Sequence, residues 1–123
     1  MKQSPIFART YDFVEWLIPR TMSFPRQQRF VLTKRIQDTA LDFQERIIEA
    51  AVAKDRLRAE RLVQADMNLA KSRFYLRLAK DLEWLSLGQY ERVARMVEEI
   101  GRLLGGWSKK EVGRQRETSQ ATR

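Results

Sequence analysis

Residues 55–85, DRLRAERLVQADMNLAKSRFYLRLAKDLEWL, decide the fold. They contain no Pro and no Gly, and their apolar side chains recur at steps of three and four, the period of an α-helix. Two apolar rows run along this segment. Val63, Met67, Ala70, Phe74, Leu78, Leu82 and Leu85 make the first; Leu62, Leu69 and Leu76 make the second, at seven-residue intervals. A helix that is apolar on two sides is expected to be buried on two sides. One side serves the chain's own core, and the other meets a further helix or a neighbouring subunit. Leu62, Leu69 and Leu76 are the candidates for the subunit contact.

Upstream, Ile36, Ala40, Phe43, Ile47 and Ala50 repeat the same spacing and predict a helix from about Pro25 to Ala53, with a break near Ala53 to Asp55. Before it, Ser4-Pro5 reads as an N-cap followed by Pro at the first helical position. The helix that follows carries the rows Phe7-Tyr11-Val14-Ile18 and Ile6-Phe13-Leu17, and Pro19 should end or bend it. Downstream, Ser86-Leu87-Gly88-Gln89 has the Ser-x-x-Gln pattern of a capping box. Tyr90, Val93, Val97, Ile100 and Leu104 then form a fourth row, which Gly105-Gly106 should terminate. After Trp107 the periodicity stops. The expected architecture is an all-α, antiparallel four-helix bundle over residues 1–107, followed by a disordered basic tail over residues 108–123.

Composition narrows the chemistry. The 123 residues include no Cys and no His, so thiol nucleophiles, thiolate or imidazole metal sites and His-based triads are excluded. No phosphate-binding Gly-rich loop and no nucleophile elbow occur. Asp38, Asp42, Glu45 and Glu49 share a narrow arc of the second helix, opposite its core row. Carboxylate-bridged metal bundles point their ligands inward, so this arc reads as a solvated or basic-partner face, and no metal or cofactor is expected. Most of the twelve aromatic residues fall on core rows, and Trp16, Trp84 and Trp107 read as packing residues rather than base-stacking ones. No stretch has the length and apolarity of a membrane span or a signal peptide, so the expectation is a soluble cytoplasmic protein, a binder rather than an enzyme.

The formal charge of +8 favours an anionic partner, and its excess sits on the third helix and the tail. Arg73, Arg77 and Lys80 share one face of the third helix, between its two apolar rows. Such a row suits a surface that combines burial with charge, and an Arg head pairs equally with phosphate or carboxylate. The same residues also suit a structural role, with their stems covering the margins of a core.

Three stretches carry a family resemblance. They are Phe24-Pro25-Arg26 leading into Arg29-Phe30-Val31-Leu32; Ser72-Arg73-Phe74-Tyr75-Leu76-Arg77-Leu78-Ala79; and Gln89-Tyr90 onward through Glu99-Ile100-Gly101-Arg102-Leu103-Leu104-Gly105-Gly106-Trp107. Through them the chain resembles the accessory variability determinant (Avd) proteins of bacterial diversity-generating retroelements. A wider group of bacterial four-helix bundles, some encoded in ribosomal RNA intervening sequences, is the alternative; it would make the chain a structural bundle with an unrelated protein or RNA partner. The Avd resemblance implies a pentameric ring or barrel that binds the retroelement's reverse transcriptase. It also implies contact with RNA and DNA, directly or through the polymerase. The polymerase copies a template-repeat RNA into adenine-mutagenised cDNA, and the Avd-type partner is non-catalytic. Carried onto this sequence, the resemblance points to Arg73 and Arg77 as the polymerase- or RNA-facing pair; Lys80 joins them from its spacing. Gly101, Gly105 and Gly106 are expected to be structural.

Overall fold

The computed structural model describes residues 4–121. Residues 1–3 and 122–123, which fall within the two expected segments, lie outside it. Four helices account for nearly all of the described chain: α1 (Pro5–Thr21), α2 (Leu32–Val52), α3 (Asp55–Asp81) and α4 (Leu87–Ala121). A single 3-10 turn, Arg26–Gln28, lies between α1 and α2. Each helix packs on two neighbours, α1 on α2 and α4, α3 on α2 and α4. The diagonal pairs do not meet, so the four helices stand at the corners of a square.

Side-chain pairs give the directions. Gln37 Nε2 near the start of α2 donates to Thr21 Oγ1 at the end of α1 (2.8 Å). Arg58 at the start of α3 donates to Ala50 O and Ala53 O at the end of α2 (2.9 and 3.0 Å). The Lys80 ammonium at the end of α3 lies 5.0 Å from the Tyr90 ring of α4. Phe7 meets Trp107 edge to face at 6.0 Å, joining the start of α1 to the second half of α4. Every neighbouring pair is therefore antiparallel, as the short connections require.

The core follows the expected rows on α1, α2 and α4. Ile6, Phe13 and Leu17 are buried, as are Ile36, Ala40, Phe43, Ile47 and Ala50, and Val93, Val97, Ile100 and Leu104. The second α1 row lies on the margin, with Phe7, Val14 and Ile18 half-buried and Tyr11 exposed. All three Trp residues pack: Trp16 is buried under the Arg20 guanidinium, Trp84 lies 5.5 Å from Phe24, and Trp107 meets Phe7.

The capping box forms: Gln89 N donates to Ser86 Oγ (3.1 Å) and Ser86 N donates to Gln89 Oε1 (2.9 Å). Pro5 opens α1, but the Ser4 hydroxyl makes no capping bond; its carbonyl accepts from Phe7 N instead (3.2 Å). Pro19 lies inside α1, whose end follows at Thr21.

Three boundaries differ from expectation. The α-helical part of α2 begins at Leu32, because Pro25 is extended and the next residues close a 3-10 turn. α3 stops at Asp81 rather than Leu85, where Glu83 takes a left-handed φ of 64°. There Trp84 N donates to Ala79 O (2.8 Å) and Glu83 N to Lys80 O (2.9 Å), the paired bonds of a Schellman ending. Finally, Gly105-Gly106 does not terminate α4, and residues 108–121 are helical rather than a disordered tail. No glycine adopts a positive φ, so these two simply continue the helix, at a cost of about 0.5–1 kcal/mol each relative to Ala.

Candidate functional site

The inward face of α3 is the row Leu62, Ala65, Leu69, Ser72, Leu76 and Ala79, stepping by three and four. Large and small residues alternate along it, so α2 and α4 can approach closely past Ala65, Ser72 and Ala79. Leu62, Leu69 and Leu76 are 3%, 0% and 2% exposed. This corrects their assignment to a subunit contact: they are core. The signal that identifies them is the presence of Ala and Ser midway between the leucines, which completes a heptad that leucine spacing alone leaves open.

The other row faces outward from Val63 to Phe74, whereas Leu78 is half-buried and Leu85, beyond the end of α3, belongs to the core. Val63, Met67 and Phe74 are 60%, 52% and 67% exposed, with Ala70 between them. At 100° per residue this stripe lies opposite the core row. A second apolar face is left open on α2, where Leu41, Ile48 and Val52 are exposed beside Tyr11 of α1. Glu45, 3.4 Å from Arg46 Nη2, borders this second face.

Arg73, Arg77 and Lys80 stand along the α4-facing edge of the α3 stripe and have different surroundings. The Arg73 guanidinium lies across Gly101 of α4, where a Cβ would collide with its Nη2. Gly101 thus makes room for an arginine head at the helix crossing. Arg77 is open to solvent and, among the described residues, makes a single long approach of 3.9 Å to Asp81. Lys80 is held by Asp81 at 3.2 Å and by the Tyr90 ring, so it belongs to the α3–α4 contact as much as to the surface. The carboxylates of the α2 arc mostly find cations within the chain: Asp38 pairs with Lys34, Glu45 with Arg46, and Glu49 with Arg46 and Arg61.

The sequence matches the bAvd-like family over residues 5–111. The chain belongs to that family. No curated protein matches it. Among solved structures it is similar to a protein of unknown function from the S23 ribosomal protein family of Bacteroides thetaiotaomicron. The two share 23% identity and a TM-score of 0.79, over 89% of this chain and 99% of that one, a likeness of fold.

The bAvd-like match takes in α1 to α3 and α4 as far as Glu111. That last residue ties the bundle together: its side chain is 4% exposed and receives Arg114 Nη2 at 2.6 Å and Gln115 Nε2 at 3.3 Å, with Arg58 Nη1 at 3.7 Å. Arg114 reaches on to Asp55 Oδ1 (3.2 Å), and Gln115 Nε2 donates to Asp55 O (2.9 Å). The Arg114 hydrogen bonds hold the Glu111 carboxyl below its ordinary pKa, assisted by Gln115 and Arg58 and opposed by burial. The hydrogen bonds of Arg114 to Glu111 and then Asp55 raise its own pKa. Asp55 itself has a left-handed φ of 53°, which a short Asp side chain tolerates, and it closes the two-residue link from α2. In this bAvd-like chain no described helix is long and apolar enough to cross a membrane.

Proposed function

We propose that this chain is the non-catalytic accessory protein of a diversity-generating retroelement. It forms a homo-oligomeric ring, a pentamer as the family resemblance implies, and binds the retroelement's reverse transcriptase with template RNA and cDNA during mutagenic retrohoming. Family membership supports the accessory role. The observation that carries the reading is the outer face of α3, a stripe of Val63, Met67, Ala70 and Phe74 edged by the cations Arg73 and Arg77. A lone bundle has no use for such a face, and contiguous exposed apolar surface marks association.

A closed ring of one kind of subunit needs two different patches on each copy. The α3 stripe, edged by arginines, and the α2 face, edged by Glu45, are complementary in charge and both apolar. Docking α3 of one copy on α2 of the next closes a ring and leaves Arg73 and Arg77 along its seam for the polymerase.

Co-purification of the chain with the reverse transcriptase encoded beside it, at low and high salt, tests the reading, with mass determined by light scattering. The expected result is a complex containing a ring of this chain and weakened by salt. In that assay Arg73→Ala with Arg77→Ala lowers polymerase retention while the helical circular dichroism is unchanged. A monomer that ignores the polymerase at both salts would overturn it, leaving a structural bundle with a different partner.

A further inference from the structure

The 3-10 turn between α1 and α2 carries a second basic surface, on the side of α3 away from Arg73. Among the described residues, Arg35 and Lys71 beside the groove, and Arg26 and Arg29 on the α1 side of the turn, make no ion pair, and Lys34 is paired only with Asp38, the single carboxylate lining the groove. Phe30 projects from this turn 80% exposed, with the Arg29 guanidinium 6.0 Å from its ring centre. The groove lies between the start of α2 and the middle of α3, has a volume of about 450 Å³, and is walled by Phe30, Lys34, Arg35, Lys71 and Tyr75.

The Phe24–Leu32 stretch thus has chemistry that the bundle does not use. The core takes Phe24, but Arg29, Phe30 and Val31 all point outward. Cations flank the exposed Phe30 ring and the half-buried Tyr75 ring of the groove, and single-stranded nucleic acid offers phosphates beside unstacked bases. A duplex keeps its bases stacked and offers no ring face to Phe30, and the groove has the size of a small-ligand pocket rather than of a helix-binding cleft. An acidic peptide would satisfy the cations but leave the aromatic platform without a partner.

We propose that this turn and groove bind single-stranded nucleic acid, with Phe30 stacking on a base while Arg29, Arg35 and Lys71 take the flanking phosphates. The inference rests on the reading above for its nucleic-acid partner, but uses residues distinct from the Arg73 edge. The α3 stripe adjoins the groove through the Phe74–Tyr75 ring contact at 5.6 Å, so a ring closed on that stripe would repeat the groove once per subunit.

The test is fluorescence anisotropy of a labelled polyuridine oligonucleotide with the full chain at about 50 mM and about 200 mM salt. Phe30→Ala is expected to weaken binding about tenfold and leave the salt dependence unchanged, since it removes stacking alone. Arg29→Gln with Arg35→Gln is expected to flatten the log–log salt slope by about 1.4, about 0.7 for each lost phosphate contact. Circular dichroism checks that each variant folds. If the oligonucleotide binds and both variants bind as the parent does while Arg73→Ala with Arg77→Ala fails, this groove is overturned and the nucleic-acid reading survives. If the parent chain binds no oligonucleotide at either salt, the groove and direct RNA contact fall together, and polymerase retention is judged separately. If a polyglutamate peptide binds the parent more tightly than the oligonucleotide does, the partner is an acidic protein and the proposal fails.

Discussion

Glu83 holds a conformation that glycine would hold more easily. Its left-handed φ of 64° closes α3, and the Schellman bonds from Glu83 N and Trp84 N depend on that geometry. A side chain there carries a steric cost of about 1 kcal/mol. Glu83→Gly should therefore raise stability by up to about 1 kcal/mol, read as a higher urea midpoint with an unchanged slope. Neighbouring positions on α3 should separate by face. Leu69→Ala removes a fully buried side chain and should cost about 2–5 kcal/mol in the same titration. Phe74→Ser, on the exposed stripe, should change the stability of the isolated chain by no more than about 0.5 kcal/mol. Equal losses at the two positions would contradict the placement of the rows.

At the scale of the element, α4 offers two tests. Gly105 and Gly106 have nothing within 4 Å of an added Cβ, and both are helical. Replacing both by Ala should stabilise the chain by about 1–2 kcal/mol, visible as a rise in the thermal midpoint. A fall would mean that the helix needs to break there. Beyond them, Glu111 ties α4 to the α2–α3 link. Its folded pKa lies below the ordinary value, so its contribution is complete above the unfolded pKa and is lost as pH falls through the folded one. At about pH 4 and below, residues 108–121 should lose protection against amide exchange, relative to the intrinsic rate at the same pH, before the core does. Glu111→Gln should show faster exchange there already at neutral pH and lose the acid step. The rows on α1, α2 and α4 and the Ser86–Gln89 cap were legible in the sequence because their signals are local, at spacings of three and four. The α4 extension was not, because its determinants pair Glu111 with Arg58 and Arg114 with Asp55, far apart in the chain. The ending at Glu83 was also hidden, because the residue in the left-handed position is not the glycine that marks such endings.

At the scale of the whole molecule, the apolar surface is divided between a core and two outer faces. Only the core is settled within one chain. Light scattering of Phe74→Ser should show a smaller particle than the parent with helicity unchanged, and the same loss should follow Ile48→Ser on the partner face. A parent that is already monomeric, or variants of parental mass, would show that these faces serve another association. Two apolar sides on α3 could be told from a single one in the sequence, but which side faced inward was decided by the volumes of Ala65, Ser72 and Ala79, and periodicity does not weigh volume.

Those three small residues also bear on how the chain finds its structure. A half-turn of α3 about its own axis would bury the opposite stripe, an alternative nearly as apolar as the native one. In the inverted packing Met67 and Phe74 would enter the space now shaped for Ala65, Ser72 and Ala79, and the overfilled core would be rejected. Enlarging the small positions to leucine would erase that difference and make the two orientations compete. Refolding would then split into a fast native route and a slow one that must detach α3 and turn it over.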